Sequence, residues 1–172
     1  MKKLILLSLL ALAASVRAET TLKMTGVHNC CKSCANGIIK AGEGFKDVTI
    51  TPEGKTVTIV SKKKNDAKKV AEAIIEAGYF GTIEGDESES KSASRPAINA
   101  KPEAKVAKAT VSGVHLCCQK CATAATDAVK GVAGVTKHDI ASKAETFTVE
   151  GDFTKTELAA ALNKAGFAGD IK

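Results

Sequence analysis

The chain contains no tryptophan, a single tyrosine and only five phenylalanines. That scarcity argues against a nucleic-acid reader, which needs stacking aromatics or a groove-reading element on a basic face. The basic residues are also interleaved with acidic ones. One local excess stands out, Lys62-Lys63-Lys64 followed by Lys68-Lys69, and it reads as a solvated strand end and helix face, with docking to an acidic partner as the alternative. Long apolar runs are equally scarce. The longest, Leu4 to Val16, follows Lys2 and Lys3 and precedes Val16-Arg17-Ala18. It is too short to be a permanent membrane span and has the pattern of a secretory signal over residues 1–18. The expectation is therefore an exported protein, periplasmic or secreted, with no stable membrane insertion once the signal is cleaved. Losing that segment removes three basic residues and no acidic one, so the formal charge falls from +6 to +3.

What the chain does have is repetition. "GVHNCCKSCANG" starts at Gly26 and "GVHLCCQKCATA" at Gly113, and these two windows hold all six cysteines and two of the three histidines. Ala77-Gly78-Tyr79 likewise recurs as Ala165-Gly166-Phe167. The periodicity implies two similar modules, at residues 19–85 and 107–172. Between them, residues 86–106 are rich in Ser, Ala, Pro and charge and carry little to bury, which predicts a flexible linker. About twenty residues of that kind span roughly 25 Å, so the modules are expected to move independently within the tether.

Both modules read as strand, helix, strand, strand, helix, strand. In the first, "TTLKMTGVH" is a strand and "SCANGIIKAGEGF" carries Ala35, Ile38, Ile39 and Gly42 at helical spacing. "DVTITPEGKTVTIVSK" is a hairpin about Pro52-Glu53-Gly54, and Asn65 or Asp66 caps a helix that Gly78 ends. In the second, Phe147 and Val149 share a face of the hairpin, and Thr154 or Thr156 caps a helix carrying Leu158, Ala161, Leu162 and Ala165. A βαββαβ order with alternating strands implies an α+β fold, two ferredoxin-like sandwiches with both helices on one face of an antiparallel sheet.

The cysteines fall where the first strand of each module meets its first helix. Unpaired N–H groups and the positive dipole end lower a thiol pKa there. Three readings compete. A disulfide framework suits an exported chain, but three thiols per module strand one, and the linker gives no reason to pair the modules. Thiol–disulfide exchange needs only a Cys-x-x-Cys pair, yet no aromatic flank or cis-Pro turn accompanies it. Soft-metal binding fits best: thiolates select Cu(I), and three Cys with one His also complete a tetrahedral zinc set. Adjacent Cys30 and Cys31 reach one ion only across a bend. His28 and His115 are candidate ligands or supports of ligands, whereas His138 reads as a surface strand residue.

With these motifs in hand, both modules resemble the heavy-metal-associated domain found in copper chaperones and at the N-termini of metal-transporting P-type ATPases. The resemblance rests on "CKSC" (Cys31 to Cys34), "CQKC" (Cys118 to Cys121) and the Ala-Gly-aromatic near each module's end. It implies that Cys31, Cys34, Cys118 and Cys121 bind Cu(I) or a similar ion, with Tyr79 and Phe167 near the metal loop. The pattern departs from the family's Gly-Met-x-Cys-x-x-Cys. His28 and His115 replace the Gly, Asn29 and Leu116 fall at the Met position, and Cys30 and Cys117 are additional. The expected function is non-enzymatic binding, and transfer or sequestration, of a soft ion: Cu(I) first, Zn(II) or another soft metal as alternatives. The partners implied are metal ions and another metal-binding protein or a metal-transporting ATPase. The competing classes are a periplasmic thiol–disulfide redox protein and a structural interaction protein.

Overall fold

The computed structural model describes residues 19–84 and 104–172. The signal expected at residues 1–18 and most of the expected linker lie outside the described residues. The first module runs β1 (Thr20–Thr25), α1 (Lys32–Ala41), β2 (Val48–Glu53), β3 (Thr56–Ser61), α2 (Lys64–Glu76) and β4 (Thr82–Glu84). The second runs β5 (Val106–Ser112), α3 (Gln119–Lys130), β6 (Val135–His138), β7 (Thr146–Phe153), α4 (Lys155–Lys164) and β8 (Asp170–Ile171). The strand orders are β2-β3-β1-β4 and β6-β7-β5-β8, antiparallel throughout. The α+β, twin ferredoxin-like architecture is as the sequence implied.

Period-two alternation decides which sheet face is covered. Leu22 and Met24 on β1, and Val57 and Ile59 on β3, point inward, while Thr21 and Lys23 are exposed. Ile38 of α1 and Val70, Ala71 and Ile74 of α2 close over that face. Phe147, Val149 and Phe153 on β7 meet Ala125 and Val129 of α3 and Leu158 and Leu162 of α4 in the same way. Ile39, at helical spacing with Ile38, is turned outward and is 42% exposed.

Three local expectations need correcting. Pro52 lies within β2 and not in the turn, which falls at Gly54 with φ +55°. β2 is the sheet's edge strand, where a residue without an N–H is tolerated. Neither Asn65 nor Asp66 caps α2. The cap is Lys63, extended at φ −133°, and its backbone N–H donates to Ser61 Oγ at 3.2 Å, so the helix starts two or three residues earlier than the Asx pair suggested. Lys62 of the basic run lies 3.3 Å from Asp47 in an exposed pair, the ordinary solvated arrangement. α4 does start on Thr154, in a reciprocal capping box with Glu157.

The largest correction is to module independence. The two modules dock on each other in a near-twofold arrangement through the segments that carry the repeated motifs. Phe80 N–H donates to the Gly166 carbonyl at 3.0 Å and Ala168 N–H to the Gly78 carbonyl at 3.1 Å, an antiparallel bridge centred on Tyr79 and Phe167. His28 N–H also donates to the Gly166 carbonyl, at 3.3 Å. Gly78 has φ +92° and Gly166 φ +86°. A Cβ at Gly78 would overlap the Gly113 carbonyl oxygen and His115 N, and one at Gly166 would overlap His28 N and the Gly26 carbonyl oxygen. Glycine is required at both positions by backbone conformation and by close approach. No described helix is long and apolar enough to cross a membrane.

Candidate metal centre

Cys31 and Cys118 are the N-cap residues of α1 and α3, both in extended backbone, and Cys34 and Cys121 sit one turn further in. Neither N-cap cysteine makes a formal capping hydrogen bond, but unpaired helix N–H groups face each sulfur. The N–H of Cys34, together with that of Ser33, brings the Cys31 thiol down to about 6. The N–H groups of Cys121 and Lys120 lower Cys118 in the same way. The reverse holds one residue earlier: burial pushes Cys30 and Cys117 up to about 12. Burial also raises Cys121, which is fully buried, as is Cys34. Each window therefore offers one partly exposed thiol of lowered pKa, one partly exposed thiol of raised pKa and one fully buried thiol.

Docking merges the two windows. Cys34 Sγ lies 3.6 Å from both Cys117 Sγ and Cys121 Sγ, and Cys30 Sγ lies 3.6 Å from Cys121 Sγ and 4.0 Å from Cys118 Sγ. Within a module, Cys30–Cys34, Cys31–Cys34, Cys117–Cys121 and Cys118–Cys121 are each 3.7 Å apart. All six thiols are free. Sets of three that could hold an ion include Cys30-Cys31-Cys118, Cys31-Cys34-Cys117, Cys117-Cys118-Cys121 and His28-Cys30-Cys121. Adjacent Cys30 and Cys31 thus do share a candidate set, the bend coming from the turn into α1.

The imidazoles and aromatics cross between modules. His28 stacks on Phe167 and His115 on Tyr79, each at a ring-centroid separation of 4.4 Å. Tyr79 Oη donates to the Cys34 carbonyl at 3.1 Å, so the aromatic of the Ala-Gly-aromatic motif lies against the metal loop as the resemblance implied. Nε2 of each of these histidines is buried without a hydrogen-bond partner, and burial lowers both imidazole pKa values. A neutral, unpartnered imidazole nitrogen is a ready ligand. Only His28 joins a candidate set among the described residues, with Cys30 and Cys121. His138, expected at the surface, is half-buried, and its Nδ1 has no partner. It lies on β6 and belongs to none of the candidate sets. What sequence reading missed was the union of the two clusters; the one available signal was the Ala-Gly-aromatic repeat, whose glycines make the contact.

Fold and site together define a thiolate-rich, metal-binding ferredoxin-like protein. The heavy-metal-associated domain model matches residues 108–168, which is most of the second module. The first module repeats its element order, strand order and cysteine placement. Among solved structures, the chain is similar to the N-terminal soluble domains of Bacillus subtilis CopA, at 18% identity over 90% of this chain and 95% of that one, with a TM-score of 0.32. No curated protein matches the chain.

Proposed function

We propose that this chain is an exported, non-catalytic carrier that binds Cu(I) through Cys31, Cys34, Cys118 and Cys121. It passes the ion by thiolate exchange to another metal-binding protein or a metal-transporting ATPase. The observation that carries this reading is the graded accessibility within each Cys-x-x-Cys. Cys31 and Cys118 have lowered pKa values and are partly exposed at a helix N-terminus, while their partners 3.7 Å away are fully buried. The outer thiolate can enter an incoming ion's coordination shell first, and the inner one then completes the site; release runs in reverse. The softness of the donor set favours Cu(I) over harder ions. The test is anaerobic competition of the reduced chain against a Cu(I) chelator. Replacing both cysteines of a pair (Cys31→Ser with Cys34→Ser) is expected to weaken uptake at least ~100-fold, about the upper range seen on disturbing a metal's supporting shell. Unchanged uptake defeats the assignment.

A second reading is favoured by the same acidic thiol. Cys31 beside Cys34 is also a competent pair for thiol–disulfide exchange. Reduction of insulin by the metal-free chain at rates comparable to a dedicated oxidoreductase, with no Cu(I) retained against the chelator, would establish that alternative.

A further inference from the structure

The six sulfurs are arranged more regularly than two neighbouring sites require. Eight pairs lie 3.6–4.0 Å apart. Four more pairs, Cys30–Cys31, Cys31–Cys117, Cys31–Cys118 and Cys117–Cys118, lie within 4.8 Å. Every sulfur thus has four sulfur neighbours and one opposite, which is the connectivity of an octahedron. The opposite corners are Cys30 and Cys117, Cys31 and Cys121, and Cys34 and Cys118. The spacing itself selects a coordination number. With metal–sulfur bonds of about 2.3 Å, ligand sulfurs stand about 4.0 Å apart around a trigonal ion, about 3.8 Å around a tetrahedral one and about 4.6 Å across a linear one. The eight close pairs match trigonal or tetrahedral coordination and not the linear two-thiolate arrangement.

We propose that the docked modules form one polynuclear thiolate site, which takes four soft monovalent cations of the Cu(I) class on alternate triangular faces of this octahedron. One such set of faces is Cys30-Cys31-Cys118, Cys31-Cys34-Cys117, Cys117-Cys118-Cys121 and Cys30-Cys34-Cys121. Any two of these faces share a single corner, so each ion has three sulfurs and each sulfur bridges two ions. The set obtained by exchanging the modules' roles is equivalent, and only one can fill because its faces share edges with the other's. The six sulfurs bind as thiolates, and the protons that any of them still carry leave to solvent as four cations enter; the metal stays monovalent, so no oxidant or reductant takes part. The loaded site carries two negative charges, facing the N-termini of α1 and α3, whose dipoles favour them. Monovalent ions keep that charge low. Divalent Zn(II) prefers closed tetrahedral sites, which the three-sulfur faces do not supply. This role explains Cys30 and Cys117: without them only four sulfurs remain, and no set of alternate faces is complete. Three of the four faces draw on both modules, so filling is cooperative and clamps the modules together.

This inference rests on the Cu(I) reading above, and one experiment separates the two. Full-length reduced chain is titrated anaerobically with Cu(I) and followed by native mass spectrometry and copper X-ray absorption. Four ions per single chain are expected, with empty and four-ion forms dominating at half-saturation and a short metal–metal scattering shell. Cys30→Ser with Cys117→Ser is expected to stop at two ions and lose that shell. Cys31→Ser with Cys118→Ser, at the two helix N-caps, is expected to do the same and guards against misfolding of the first variant. Saturation of the unmodified chain at two independent ions overturns the polynuclear site and leaves the carrier reading intact. Four ions retained by both variants, four ions seen only in a two-chain species, or an equal four-ion form with Zn(II) also overturn it. No Cu(I) bound at all defeats both readings.

Discussion

Cys30 and Cys31 are adjacent in sequence yet are driven to opposite acidities, because one side chain is turned into the interface and the other towards helix N–H groups. Alkylation of the metal-free reduced chain tests this directly. Cys31 is expected to react first, with a midpoint near pH 6, and Cys30 and Cys117 only at strongly alkaline pH. Uniform modification of all six thiols near the ordinary thiol pKa contradicts the arrangement. The same groups set a stability profile. Cys31 is depressed from 9.0 to about 6, so its contribution is complete above pH 9 and fades as pH falls to 6. Cys30 and Cys117 are raised from 9.0 to about 12, so theirs is complete below pH 9 and is lost as pH rises to 12. Urea midpoints of the metal-free chain are expected to peak near pH 9, and a midpoint flat from pH 6 to 12 speaks against these shifts.

Among the elements, α4 and the two glycine turns are the sharpest to test. The Thr154–Glu157 capping box satisfies two otherwise orphaned N–H groups. Thr154→Ala is expected to cost about 1 kcal/mol of second-module stability in chemical denaturation, with metal stoichiometry unchanged. Gly166→Ala is different in kind. It strains a backbone at φ +86° and drives a methyl group into Gly26 and His28 of the other module. The expected result is a lost interface with both modules still folded, read as a larger radius of gyration in solution scattering and loss of the His28–Phe167 contact. An unchanged radius counts against the docked arrangement. In the first module's core, Ile38→Ala removes a fully buried side chain and is expected to cost about 2–5 kcal/mol.

For the whole molecule, the decisive quantity is how the tether and the shared site combine. Covalent connection of the two modules raises the effective concentration of each at the other's surface, so modest interface contacts suffice to close the pair. A protease site introduced within residues 86–103 makes this measurable. After cleavage, the halves are expected to co-elute when loaded with Cu(I) and to separate once a chelator strips the metal. Halves that separate while loaded exclude an ion shared between modules.

Legibility followed the range of the interactions. Strand alternation, the Thr154 cap, the Gly78 helix stop and the Cys-x-x-Cys at each strand–helix junction are local patterns, and each could be read from a window of a few residues. The α2 cap was misread because Ser61, four residues upstream of Asn65, supplies the acceptor through the path of the chain. Pro52 was misplaced because the register between β2 and β3, not the proline, sets the turn. The sequence by itself determined two ferredoxin-like modules, each presenting three thiols and an imidazole, since periodicity and motif spacing are written along the chain. Only the tertiary structure decided that these are halves of one site. That depends on two backbones meeting at Gly78 and Gly166 and on aromatics reaching across to the opposite histidines, contacts between residues about ninety positions apart that no local pattern encodes.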